Sequence, residues 1–147
     1  MTTEQPAAIS GAALEVITID ECMRLLAAQQ VGRLGYCIRG EPHIEPVNFA
    51  IYEGDLVVNF ATGTKLAAAA RDALFTLEVD AIDAEIRTGW SVTVTGPAGW
   101  VESEAQKARL SETVQPWAPG QKPYYMLIKP DRVSGRRIVR TASTPPG

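Results

Sequence analysis

Residues 34–60, LGYCIRGEPHIEPVNFAIYEGDLVVNF, decide the fold, because they contain three apolar runs separated by two short turns. RGEP separates the runs 34–38 and 43–52, and EGD precedes the run 56–60. Short apolar runs bounded by Gly and Pro are typical of β-strands. Because these connections are too short for crossovers, we predict an antiparallel meander of three strands.

Further strands are predicted on the C-terminal side of this meander. The apolar runs lie at residues 74–79, 90–95 with 99–101, 124–129 and 133–139. Gly96-Pro97 interrupts the second of these runs and predicts a bulge or a sharp bend at a barrel corner. Six or so short strands that do not alternate with full-length helices disfavour a parallel α/β fold. They predict a mostly β protein, a β-barrel with accessory helices.

Three helices are predicted around the strands. Thr18 opens the capping box TIDE, and Ser103 opens the capping box SEAQ. In each box the hydroxyl oxygen accepts the backbone N–H of the residue three positions later, which starts a helix. An alanine-rich helix of high propensity is expected over residues 65–71.

The size and composition of the chain limit its function. With 147 residues, 46% of them apolar and 21% charged, the chain can bury one core. We expect a single domain over residues 18–140, between a flexible segment (1–17) and a loose tail (141–147). A net charge of −3 gives no general attraction to nucleic acid or to anionic membranes. No segment has the form of a signal peptide or a membrane span, so we expect a cytoplasmic protein.

The cysteine and histidine content argues against a metal site. Cys22 and Cys37 fit neither a C-x-x-C motif nor a disulfide framework, and we expect two reduced, buried thiols. His43 is the single histidine, which argues against a dedicated zinc or iron site. We expect His43 to be a solvated turn residue rather than a catalytic base.

Thr62-Gly63-Thr64-Lys65 is the stretch that says most about binding. A strand ends here and a helix begins, and the free N–H groups of a helix N-terminus suit a phosphate. Thr62 and Thr64 add hydroxyl groups, and Lys65 adds a full positive charge. The alternative is an ordinary capped helix followed by an exposed lysine.

Asn48, within Pro46-Val47-Asn48-Phe49, is a polar residue in a predicted strand. Alternation places it on the same face as Ile44 and Ala50, where an amide needs a hydrogen-bond partner. That partner is either a ligand or Asn59 in the next strand.

Two tryptophans are further candidates for a binding site. Trp90 beside Ser91 offers a flat apolar surface with a hydroxyl at its edge, which suits an isoalloxazine ring. The alternative is a tryptophan of the core or of an interface. Trp117, in a loop rich in Pro and Gly, is expected to be more exposed and could close a pocket or a subunit interface.

Together these residues resemble the pyridoxamine 5′-phosphate oxidase-like family of flavin-binding split barrels, in particular its short, actinobacterial-type members. The likeness extends over residues 19–138. Besides the opening helix it is carried, in order, by VGRLG (31–35), PVNF (46–49), TGTKL (62–66), EVD (78–80), TGWSV (88–92) and IKPDRVSGRR (128–137).

The resemblance implies a six-stranded antiparallel split barrel, Greek-key-like, that forms a homodimer with two cofactor sites at the interface. It implies FMN as the cofactor, with the deazaflavin coenzyme as the alternative. On this sequence Thr64 and Lys65 would hold the cofactor phosphate. Val47, Asn48 and Phe49 would line the ring, and Trp90 and Ser91 would meet its edge.

The sequence favours an oxidoreductase that moves a hydride or electrons between the flavin and a small organic acceptor. The chemistry would belong to the cofactor, so no protein acid or base is required. The vitamin B6 oxidases of the family carry a late arginine–histidine pair, and this chain has no histidine after His43, which argues against genuine pyridoxamine phosphate oxidase activity. The alternative is a non-enzymatic module that binds or stores FMN, deazaflavin or haem. The acceptor, the direction of electron flow and the roles of Trp117 and Arg136-Arg137 stay open.

Overall fold

The strands of the protein form one antiparallel sheet that closes on itself. The computed structural model describes residues 11–61 and 73–140. Its elements are β1 (Ala12–Val16), α1 (Ile19–Ala27), β2 (Val31–Ile38), β3 (Glu41–Tyr52), β4 (Asp55–Phe60), β5 (Leu74–Asp83), β6 (Thr88–Trp100), α2 (Glu104–Thr113), β7 (Tyr124–Ile128) and β8 (Arg132–Arg140). The helix predicted over residues 65–71 lies outside the described residues.

Six strands close the barrel. They follow the order β6-β5-β2-β3-β4-β7, and β7 pairs back onto β6. β8 and β1 extend the sheet beyond β6. β2, β3 and β4 form the predicted meander, with Gly40 and Gly54 at positive φ in its two turns. The mostly β fold, an antiparallel six-stranded barrel with accessory helices, is thereby confirmed.

β6 changes its partner strand at Gly96-Pro97. It pairs with β8 as far as Thr95 and with β7 from Ala98 onwards, while β5 stays paired along its other edge through Pro97. A Cβ on Gly96 would lie 1.5 Å from the carbonyl oxygen of Lys129, so only glycine fits where the β7–β8 connection crosses. The predicted corner is therefore a point of partner exchange within one continuous strand.

β1 lies in the stretch for which the sequence analysis expected a flexible segment. It pairs over its whole length with β8, from Ala12 opposite Arg140 to Val16 opposite Arg136. Its side chains are half-buried or exposed, so the sequence shows no clear two-residue period. A pairing with a strand more than a hundred residues away leaves no local signal.

Both predicted capping boxes open a helix. The Glu21 N–H donates to the Thr18 hydroxyl at 3.2 Å, and the Gln106 N–H donates to the Ser103 hydroxyl at 3.2 Å. α1 then packs on the barrel through Cys22 and Leu26, which are fully buried. Cys37, in contrast, is exposed on β2, so the expectation of two buried thiols is wrong for this residue.

The barrel interior is filled by alternate side chains of the strands. Those with no exposed surface include Leu34, Leu56, Phe75, Leu77, Val92, Val94 and Met126. Burying a side chain of this size stabilises the fold by about 1.5–3 kcal/mol. The tightly filled interior leaves the ends and the outer surface of the barrel as places for a ligand.

Candidate functional site

A cleft of about 400 Å³ opens beside the start of β2, the middle of β3 and the C-terminal end of β4, next to the loop of residues 114–123 that joins α2 to β7. We call it the rim cleft. Its apolar lining includes Val31, Val47 and Phe60, and its polar lining includes Glu45, Asn48, Asn59 and Lys122, with Trp117 and Ala118 from the loop. Ala61, the last described residue before Thr62, also lines it. In the sequence, Ala61 is followed directly by Thr62, the first residue of the predicted phosphate-binding stretch.

Asn48 joins three parts of the chain at the rim cleft. Its Nδ2 donates to the Gln30 carbonyl oxygen at 3.4 Å, and its Oδ1 accepts the backbone N–H of Trp117 at 2.9 Å. The indole Nε1 of Trp117 donates to Oε1 of Gln30 at 2.9 Å. The amide of Asn48 thus binds the protein itself and holds the loop against the barrel.

Asn59 lies directly opposite Asn48 in the β3–β4 pairing, as the alternative interpretation of Asn48 required. Its side chain, however, donates to the carbonyl oxygens of Lys122 at 2.7 Å and Tyr124 at 3.0 Å. Asn59 is 5% exposed, so these bonds satisfy a buried amide and fix the far end of the loop. Lys122 itself is half-buried, and none of the ion pairs among the described residues includes it.

The other candidates from the sequence are distributed unevenly around the rim cleft. Val47 belongs to the barrel core and also lines the cleft, whereas Phe49 lies within the core cluster, 3% exposed. Thr62, Thr64 and Lys65 lie outside the described residues.

Trp90 and Ser91 lie in a second depression, of about 430 Å³, on the outer surface where β1, β8, β6 and β5 meet. We call it the sheet groove. It is lined by Leu14, Ile82, Trp90, Ser91, Arg136 and Ile138, together with residues of the β5–β6 turn. β6 is not a neighbour of β3 in the sheet, so the structure does not bring Trp90 and Ser91 together with Val47 and Asn48 within one chain.

A carboxyl pair on β5 belongs to the segment EVD (78–80), which the sequence analysis quoted for the family resemblance without assigning it a role. Glu78 and Asp80 flank the buried Val79, which places both carboxyl groups on the outer face. Arg33 lies 3.5 Å from Glu78 and 3.1 Å from Asp80. Burial and the neighbouring Asp80 carboxylate outweigh Arg33 and raise the pKa of Glu78 to about 7. Alternating carboxylates around a buried valine were the signal that could have revealed the pair.

Of the remaining polar candidates, His43 and Arg137 line neither the rim cleft nor the sheet groove. The His43 ring stacks on Tyr36 with 5.4 Å between centroids and lies 3.8 Å from the Glu41 carboxylate. Arg137 forms an ion pair with Glu21 at 3.1 Å, and Arg136 lines the sheet groove.

Among the described residues no three His, Cys, Asp or Glu side chains cluster as metal ligands would. Within the same part of the chain no helix is long and apolar enough to cross a membrane.

Comparison with known proteins agrees with this architecture. The sequence profile described as pyridoxamine 5′-phosphate oxidase matches residues 18–137, and the chain belongs to this family. The uncharacterized protein Rv0080 of Mycobacterium tuberculosis is 35% identical over 140 residues, which cover 90% of this chain and 92% of that protein.

Two solved structures share the fold at comparable identity. The FAD binding protein from Mycobacterium smegmatis is 29% identical with a TM-score of 0.65, covering 85% of this chain and 98% of that one. A conserved protein of unknown function from Corynebacterium diphtheriae is 28% identical with a TM-score of 0.70, covering 86% of this chain and 98% of that one. The relatives are matched over nearly their whole length, so the chain corresponds to the entire split barrel of these proteins.

Proposed function

We propose that the protein binds a flavin-type cofactor in the rim cleft and passes a hydride or electrons between it and a small organic acceptor. The observation that carries the proposal is a partly apolar cleft lined by Ala61, the residue that precedes Thr62-Gly63-Thr64-Lys65 in the sequence. A flat apolar ring would lie against the cleft lining while its phosphate meets the free N–H groups and the cation that follow. FMN is the first candidate, and the deazaflavin coenzyme is the alternative.

The likeness to the Mycobacterium smegmatis protein supports a flavin as the ligand, since that relative is an FAD binding protein. The cleft volume of about 400 Å³ lies within the ordinary range of small-molecule sites. The bound flavin would supply the redox chemistry. The protein's part would be to bind, to orient and to limit access of water, consistent with a cleft that contains no nucleophile–base pair among its described residues.

We extend the proposal to a homodimer in which the sheet groove of one copy faces the rim cleft of the other. In the sheet groove Leu14, Ile82 and Ile138 are 41%, 73% and 43% exposed. Such a contiguous apolar surface favours a protein interface. The arrangement would bring Trp90 and Ser91 of one copy towards Val47 and Asn48 of the other, which one chain alone does not do.

The test is a titration of purified protein with FMN, FAD and the deazaflavin coenzyme, followed by flavin absorbance and emission. Saturable binding of one of them at micromolar concentration is expected. A protein that binds none of the three contradicts the proposal. Reoxidation of the reduced complex by a quinone such as menadione, faster than that of free cofactor, separates the oxidoreductase from a module that only stores the cofactor.

A further inference from the structure

Trp117 combines high exposure with a fixed position. Its side chain is 68% exposed, yet both ends of the residue are hydrogen-bonded, the backbone N–H to Asn48 and the indole N–H to Gln30. An exposed tryptophan on a loop gains little from burial, and fixing its rotamer costs conformational entropy. An exposed tryptophan whose backbone is held by Asn48 and whose indole is held by Gln30, at the edge of a cleft, therefore indicates a ring that is prepared to be covered.

The loop that carries Trp117 is held at a second point. The buried Asn59 side chain donates to the Lys122 carbonyl oxygen, five positions further on. The loop thus meets the barrel at Trp117 and again at Lys122, and both residues line the rim cleft. The cleft has an apolar surface from the barrel, formed by residues that include Val47 and Phe60, and an indole from the loop.

We propose that Trp117 is the stacking partner of the flavin ring, and that Gln30 and Asn48 are positioning residues which hold the indole ready. The inference rests on the proposed function, because it takes the flavin as the occupant of the rim cleft. A flat heteroaromatic ring gains offset stacking on an indole in addition to the area it buries. Since the indole is already fixed, little further ordering opposes binding.

The experiment compares four variants by the dissociation constants of FMN and riboflavin. Trp117→Ala weakens the binding of both ligands on the order of tenfold, because stacking does not involve the phosphate. Trp117→Phe retains a ring and loses less. Gln30→Ala keeps the indole ring but removes the acceptor that fixes its orientation. It weakens the binding of both ligands by an intermediate factor. Gln121→Ala, an exposed glutamine of the same loop that does not line the rim cleft, is the matched control and leaves both constants unchanged.

Flavin emission reports ring contact independently of affinity. A stacked indole quenches bound flavin and phenylalanine does not, so Trp117→Phe restores severalfold more emission at saturation. If wild type binds both flavins, and Trp117→Ala binds them equally tightly with the emission still quenched, the inference is wrong and the proposed function stands. If Trp117→Ala instead dissociates a wild-type dimer, while Trp117→Phe stays dimeric and leaves the bound flavin as strongly quenched as in wild type, Trp117 acts only at the interface and the inference is again wrong. Wild type that binds none of FMN, riboflavin, FAD and the deazaflavin coenzyme refutes the proposed function before any variant is made.

Discussion

Asn48 and Asn59 lie directly opposite each other in β3 and β4, yet their side chains are bonded away from each other. Asn48 accepts the Trp117 N–H at 2.9 Å, and Asn59 donates to the Lys122 carbonyl oxygen at 2.7 Å. A single cross-strand pair therefore holds both parts of one loop against the barrel. Both asparagines also line the rim cleft.

Asn59→Ala should destabilise the protein more than Asn48→Ala. Asn59 is 5% exposed, and its loss leaves the Lys122 and Tyr124 carbonyl oxygens without their donor. We expect a loss of about 2–3 kcal/mol, against about 1 kcal/mol for the more exposed Asn48. Urea unfolding monitored by circular dichroism measures both values. Equal, small losses would show that water replaces both amides.

Gly96→Ala should be strongly destabilising, because the added methyl group would overlap the backbone of Lys129 at 1.5 Å. Neither backbone can move without breaking the β6–β7 pairing, so we expect about 3 kcal/mol or more. Gly99→Ala in the same strand is the control, since its Cβ would meet nothing within 4 Å. Thermal unfolding of the two variants should differ by several degrees. Similar melting temperatures would contradict the close approach at Gly96.

The free energy of unfolding should fall as pH rises from about 4.5 to about 7. The lower limit is the ordinary pKa of Glu78, and the upper limit is its pKa in the folded protein. The folded state holds this proton more tightly than the unfolded state, so the stabilisation is complete at low pH and is lost through the folded pKa. The Glu78 side chain is 33% exposed, and with solvent screening we expect an effect on the order of 1 kcal/mol.

Glu78→Gln should remove this part of the pH dependence. The free energy of unfolding of the variant minus that of wild type should therefore be larger above pH 7 than at pH 4.5. Denaturant unfolding across the pH range tests it. Glu112→Gln, at an exposed glutamate of α2, is the control and should follow wild type. An unchanged slope in Glu78→Gln would assign the pH dependence to other groups.

Lys65→Ala should weaken FMN binding and leave riboflavin binding unchanged. Lys65 lies outside the described residues, so the prediction rests on its position in Thr62-Gly63-Thr64-Lys65. Loss of one charge-assisted contact to a phosphate corresponds to about tenfold to hundredfold in affinity. Fluorescence titrations with the two ligands measure it, with Lys107→Ala on α2 as the control. Equal loss for FMN and riboflavin would place Lys65 at the ring or in the fold instead.

Ile82→Arg should dissociate the proposed homodimer. Ile82 is 73% exposed in the sheet groove, so the substitution leaves the core intact and puts a charge into the apolar surface. Ile44→Arg is the matched control, because Ile44 is 75% exposed on β3 and outside the groove. Light scattering at micromolar concentration should give a dimer for wild type and for Ile44→Arg, and a monomer for Ile82→Arg. A monomeric wild type would contradict the dimer and the shared site.

The features that the sequence predicted well are those with local causes. A capping hydroxyl and its N–H partner lie three residues apart, and the two turns of the meander contain their own glycines. The Gly96-Pro97 corner was likewise visible, although the identity of its crossing partner, Lys129, was not.

The features that the sequence did not predict depend on distant parts of the chain. β1 pairs with β8 across the whole domain, and the Trp117 indole finds Gln30 at a separation of 87 residues. Asn48 was recognised as a residue that needs a partner, but that partner is a backbone N–H in a loop, which has no side-chain signature. The predicted anion-binding stretch, Thr62-Gly63-Thr64-Lys65, lies outside the described residues, so its role stays a prediction.

The double pairing of β7 has a consequence for the order in which the chain can fold during synthesis. β7 closes the ring by joining β4 on one side and β6 on the other, and it is complete only at Ile128. Until the ribosome has released these residues, β4 has an open edge, and the apolar side chains of the meander face water. Open edges of this kind invite pairing with other chains. The growing polypeptide is therefore most prone to aggregation just before its barrel can close, and that is the stage at which a chaperone would protect it most.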